Sequence, residues 1–109
     1  MKLTEQKCEA CEGGVIPLNM TEAKILLAQI PGWEVAPDAK RISREYVFKN
    51  FVGALAFVNQ VGELAESEGH HPDLHLTNYK HLEIVLSTHA IDGLSNNDFI
   101  LAAKINELG

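Results

Sequence analysis

Apolar positions recur along the chain with two different periods, and the alternation between them marks out seven elements. After an irregular stretch over residues 1–18, Asn19 stands as an N-cap with Glu22 three residues on, the reciprocal arrangement that satisfies orphan donors at a helix start. A helix is expected from about Met20 to Ile30, where Pro31-Gly32 ends it. Trp33 to Ala36 reads as a short strand, and Pro37-Asp38-Ala39 supplies turn residues. A second strand should run from about Arg41 to Phe48, with Ile42, Arg44, Tyr46 and Phe48 on one face. From Phe51 to about Glu68 the period is helical again: Phe51, Ala54, Leu55, Val58, Val61 and Ala65 form a stripe behind an Asn50 cap, and Ala56, Phe57 and Leu64 spill onto a second face. Beyond Gly69, Leu74 and Leu76 alternate with His75 and Thr77. Leu82, Ile84, Leu86 and Thr88 alternate with His81, Glu83, Val85, Ser87 and His89, and Asn78-Tyr79-Lys80 joins these two strands. A last helix opens at Ser95, with Asp98 as its capping-box carboxylate and Phe99, Ala102, Ile105 and Leu108 as its stripe.

The order α-β-β-α-β-β-α predicts an α+β fold, a four-stranded antiparallel sheet with three helices packed on one face. No repeat, low-complexity tract or internal linker divides it, so residues 1–18 are expected as an irregular N-terminal leader and 19–109 as one domain. The Phe51–Glu68 helix is apolar around much of its circumference. One side should meet its own sheet and the other a partner subunit, so an oligomer is expected, and the helix permits a homodimer or a homotetramer alike.

Composition narrows the function classes. At 109 residues and 46% hydrophobic, the chain can fill a single core. A formal charge of -6 argues against non-specific binding to nucleic acid or to an anionic membrane surface, and a small ligand fits better. No apolar stretch approaches the roughly 20 residues of a membrane span, and residues 1–15 lack a hydrophobic signal core, so a cytoplasmic location is expected. Both cysteines, Cys8 and Cys11, lie in the leader. With no others to complete a thiolate zinc site or a disulfide framework, they read as structural or incidental.

Candidate chemistry concentrates in Glu66-Ser-Glu-Gly-His70-His71-Pro72-Asp73. Two adjacent imidazoles with a carboxylate one helical turn upstream can give and take protons at neutral pH, since both forms of histidine are populated there. Three plainer readings stand beside this one. Cations just past a helix C-terminus gain about 0.3–1 kcal/mol, which accounts for one histidine better than for two. His89 at a strand end can be a packed or surface residue, and Trp33 a core residue. Five histidines within twenty residues also permit a zinc or iron site, although adjacent histidines in extended chain chelate one ion poorly.

The set Glu66-x-x-x-His70-His71-Pro72, Tyr79, Ser87-Thr88-His89 and Asp98, with Pro31-Gly32-Trp33 upstream, resembles the pterin-4a-carbinolamine dehydratase family from about residue 18 onward. The Cys8-x-x-Cys11-Glu-Gly-Gly leader is similar to an extension on bacterial members. The resemblance implies dehydration of 4a-hydroxytetrahydrobiopterin to quinonoid dihydropterin, in tetrahydropterin recycling, with no metal or other cofactor. It implies His70 and His89 as the acid/base pair, Glu66 as the carboxylate that orients a histidine, and His71, with Asp98 and Trp33, as pterin-binding. It also implies a non-catalytic alternative, because relatives of this fold act as assembly factors or as dimerisation partners of a transcription factor. The Phe51–Glu68 helix is where such a protein partner would dock.

Overall fold

The computed structural model describes residues 2–9 and 16–109. Three helices and four strands appear in the expected order: α1 (Met20–Leu27), β1 (Glu34–Val35), β2 (Ile42–Val47), α2 (Phe51–Glu68), β3 (Asp73–Thr77), β4 (His81–Leu86) and α3 (Asn96–Leu108). The strands form one antiparallel sheet in the order β1-β2-β4-β3. Its register follows from the alternation of side chains. Ile42 pairs with Leu86, Tyr46 with Leu82 and Leu76 with Leu82, which gathers the large aliphatic residues of three strands on the helix-bearing face. Arg44 pairs with Ile84 on that same face, and its charge is met by Asn106 Oδ1 and by the face of the Tyr46 ring, 4.3 Å from the guanidinium carbon.

The helix starts are built as their sequences require. Asn19 Oδ1 accepts from the Glu22 N–H at 2.8 Å while Glu22 Oε1 accepts from the Asn19 N–H at 3.0 Å, and Asn50 Oδ1 accepts from the Gly53 N–H at 2.8 Å. The ends depart more from expectation. Helix α1 stops at Leu27 rather than Ile30, because Pro31 disfavours helical backbone at Ile30 and the last turn tightens into bonds from Gln29 to Leu26 and from Ile30 to Leu27. The first strand shrinks to two residues. The fourth strand ends at Leu86, and His89–Ile91 then forms a 3-10 turn, closed where the Thr88 N–H donates to Gly93 O at 2.7 Å.

Two helices pack differently from their apparent stripes. In α2 the core side holds Ala54, Phe57, Val61 and Ala65, with the Phe57 ring against those of Tyr46 and Phe48. Phe51, Val52 and Leu55 are turned to solvent. In α3 every residue from Asn97 to Ala103 is buried. The reason is a second cover: the 3-10 turn Leu3–Glu5 packs on α3 and lays Leu3 against the core. Beyond it the Cys8 N–H donates to Glu68 Oε1, the Glu9 N–H donates to Asn97 Oδ1, and the Asn97 amide donates to Glu9 O. Among the described residues no helix is long and apolar enough to cross a membrane.

Candidate active site

The C-terminus of α2 controls where the paired histidines go. Gly69 adopts a left-handed conformation, with φ 68°, that a Cβ would disfavour, and its N–H closes onto the carbonyls of Ala65 and Glu66. Pro72 restrains His71 to extended backbone, and in extended chain successive side chains diverge. The two imidazoles consequently find different carboxylates. His71 Nε2 lies 2.8 Å from Glu66 Oε2, an open pair on the surface of α2. His70 turns inward, where its Nε2 meets Asp98 Oδ1 at 2.6 Å, with its side chain only 12% exposed and the carboxylate fully buried.

Asp98 is held from three directions. Its Oδ2 accepts from Thr88 Oγ1 at 2.8 Å and from the Ser95 N–H at 3.0 Å, the second bond being its capping-box duty at the start of α3. Because the Thr88 hydroxyl spends its one hydrogen on Asp98, the 2.7 Å contact between Thr88 Oγ1 and Ser95 Oγ runs with Ser95 donating. An ionised carboxylate accepts on both oxygens, and with Asp98 in that state it is Nε2 of His70 that carries the hydrogen between them. Nδ1 is then the ring's second nitrogen, an acceptor in the neutral ring and a donor in the imidazolium.

His89 follows Thr88 directly, on the 3-10 turn. Its neighbourhood is a cavity of about 220 Å³ lined by Asp73, Ser87, Thr88, His89 and Asp92, together with Lys40 and Arg41 of the β1–β2 turn. His70, through Asp98, and His89, by chain adjacency, are therefore tied to one residue, Thr88.

The remaining candidates lie apart from this network. Glu66 partners His71 rather than His70, so the carboxylate that orients the inner histidine is Asp98. Trp33 is buried, and its indole N–H donates to Asn106 Oδ1 at 2.8 Å, about two turns further along α3 than Asp98. Thr88 was visible in sequence as the polar member of the Leu82-Ile84-Leu86 face and as the middle of the Ser87-Thr88-His89 run, with no role of its own. A hydroxyl on a buried face requires a partner, and that is the signal which points to it. In the leader, burial, followed by the nearby Glu68 carboxylate, pushes the Cys8 thiol up to about 12. The thiol makes a 3.5 Å contact to Asn97 O, a packed and protonated group rather than a nucleophile. Cys11 lies outside the described residues. Among those described, no three His, Cys, Asp or Glu side chains are grouped as a metal ion would need.

Comparison with known proteins gives one consistent answer. A family model described as Pterin 4 alpha carbinolamine dehydratase matches residues 16–108. A protein of Halorhodospira halophila named "Putative pterin-4-alpha-carbinolamine dehydratase" is 49% identical over 100% of this chain and 99% of its own length. A protein of the same name from Rubrobacter xylanophilus is 48% identical over 98% of each. The solved structure of a transcriptional coactivator/pterin dehydratase from Brucella melitensis superposes with a TM-score of 0.77 at 29% identity, covering 84% of this chain and 97% of that one. A pterin dehydratase-like protein identified as a RuBisCO assembly factor in the alpha-carboxysome shares the fold at TM-score 0.60 and 19% identity, over 71% of this chain and 88% of that one. With the family model matched over residues 16–108 and relatives 48–49% identical over 98–100% of its length, the chain belongs to the pterin-4a-carbinolamine dehydratase family.

Proposed function

We propose that this protein dehydrates pterin-4a-carbinolamines, 4a-hydroxytetrahydrobiopterin or a side-chain relative, to quinonoid dihydropterins, as a step in tetrahydropterin recycling. The observation that carries the reading is the buried Asp98, which holds His70 Nε2 at 2.6 Å and, through Thr88, ties it to the turn that presents His89.

The chemistry needs one proton given and one taken. The C4a hydroxyl leaves as water once a donor protonates it, the N5 lone pair forms the new C4a–N5 double bond, and the N5 proton departs to a base. In this reading Nδ1 of His70 takes the N5 proton, the imidazolium so formed being stabilised by its charge-assisted bond to Asp98, and His89 protonates the hydroxyl from the exposed turn. His71, steadied by Glu66, contacts the pterin ring. No metal or redox cofactor enters the balance. Catalysis of this kind is worth about 10²–10⁴-fold. Trp33, given its burial, is assigned to the core rather than to the substrate.

The test is stopped-flow absorbance of carbinolamine decay, the substrate being generated in situ by a hydroxylase, with wild type and the His70→Ala/His89→Ala variant. Acceleration by wild type that is lost in the variant is the expected result. Absence of acceleration by folded wild-type protein refutes the enzyme and turns attention to the outer face of α2, where Phe51, Val52 and Leu55 are 48%, 75% and 40% exposed and a protein partner would dock.

A further inference from the structure

The cavity beside His89 has a wall that the dehydration chemistry leaves unused. Lys40 and Arg41 supply it from a turn with little freedom: the Lys40 N–H donates to Asp38 Oδ1 at 3.0 Å, the Ala39 N–H donates to Ala36 O at 2.9 Å, and Ala39 sits at φ 58°. From there Lys40 Nζ reaches Asp92 Oδ2 at 3.0 Å. Asp92 caps the His89 turn, its N–H donating to His89 O at 3.1 Å. The bridge thus joins the two turns that flank the cavity.

It is a weak strap. Its side chains are 50% and 87% exposed, and an ion pair in that setting adds little to stability. Arg41 is held more loosely still, 3.7 Å from Asp38. In a chain with nine Lys and Arg against fifteen Asp and Glu, two adjacent cations stand on the cavity wall, each resting on an exposed carboxylate that can be exchanged for another oxygen at small cost.

We propose that Lys40 and Arg41 form the subsite for the substituent carried on the pterin ring, and that the protein selects pterins whose side chain offers oxygen acceptors, hydroxyl or phosphate, over those with a bare methyl group. Asp92 holds the place of the incoming oxygen. This assignment rests on the dehydratase reading above.

Calorimetric binding tests it without turnover. The ligands are 7,8-dihydropterins carrying a methyl group, a trihydroxypropyl chain, or the same chain phosphorylated. Wild type is expected to bind the hydroxylated ligand about tenfold more tightly than the methyl one, the equivalent of one exposed charge-assisted hydrogen bond. A larger gain for the phosphorylated ligand marks an anion subsite, and an equal gain a hydroxyl subsite. Lys40→Met should bring the ratio toward one, whereas Asp92→Asn, which frees Lys40, should raise it. A strap that merely stiffened the site would move both variants in the same direction, and that outcome, or equal binding of all three ligands by wild type, overturns the proposal. A preserved preference without carbinolamine turnover rejects the dehydratase reading alone. Turnover without preference rejects the subsite alone, and no pterin binding at all rejects both.

Discussion

Asp98 shows how one side chain can serve two purposes at the residue scale. As the third residue of α3 it accepts the Ser95 N–H, and from the same position it holds His70. Replacing it with asparagine presents an amide N–H where a carboxylate oxygen met a donor. We expect Asp98→Asn to lose about 1–2 kcal/mol in urea unfolding, and to lower the carbinolamine turnover rate more than it raises KM. Thr88 is the sharper probe. Thr88→Val leaves the space filled but removes a donor to Asp98 and an acceptor for Ser95, a loss of about 1–3 kcal/mol that Thr88→Ser should largely restore. If Thr88→Val were as stable as wild type, the buried network would contribute nothing to the fold. The capping role of Asp98 was legible in Ser95-x-x-Asp98. Its partnership with His70, 28 residues away in the chain, was not, because no local period relates the end of α2 to the start of α3.

At the scale of elements, Glu68 and Lys104 tie α2 to α3 beside the leader, paired at 2.8 Å with side chains 10% and 14% exposed. Burial by itself would raise the Glu68 carboxyl. The hydrogen bond from Lys104 and the Cys8 N–H outweigh it and leave the group below the usual carboxylate value. Since its folded-state pKa is depressed, the stabilisation is fully present above the unfolded value and is lost as pH falls through the folded one. Lys104→Met, which strands a mostly buried carboxylate, should cost about 2 kcal/mol at pH 7 and flatten the acid limb of the stability–pH curve in that region. A mutant whose acid limb matches wild type would show that the pair does not govern it. The stop of α2 offers a cleaner measurement. At Gly69 a Cβ would meet nothing within 4 Å, so Gly69→Ala should cost about 1 kcal/mol, the conformational penalty of φ 68° alone.

At the scale of the whole molecule, the outer side of α2 is an apolar feature that the fold itself does not cover. Phe51, Val52 and Leu55 lie exposed on a helix whose other side is fully packed. A homo-oligomer that covers this face is the assembly we propose. Sedimentation should show a species larger than the monomer, and Val52→Lys/Leu55→Lys should return it to monomer with unchanged far-UV circular dichroism. A wild-type monomer at high concentration would instead leave this face for another partner.

The sequence by itself determined the element order, the antiparallel α+β class, the three helix N-caps and the stop at Gly69, since each follows from periods of two or 3.6 residues and from backbone preferences acting over a few positions. Family membership was legible for a related reason: Glu66, His70, His71, Pro72 and the Ser87-Thr88-His89 run lie close together in the chain. Only the tertiary structure decided which carboxylate serves which histidine, that Phe57 rather than Phe51 enters the core, and that the Leu3–Glu5 turn packs on α3. Those outcomes depend on the angle at which packed elements meet, which is settled by the competition of whole apolar faces for one core, and no local pattern of residues records it.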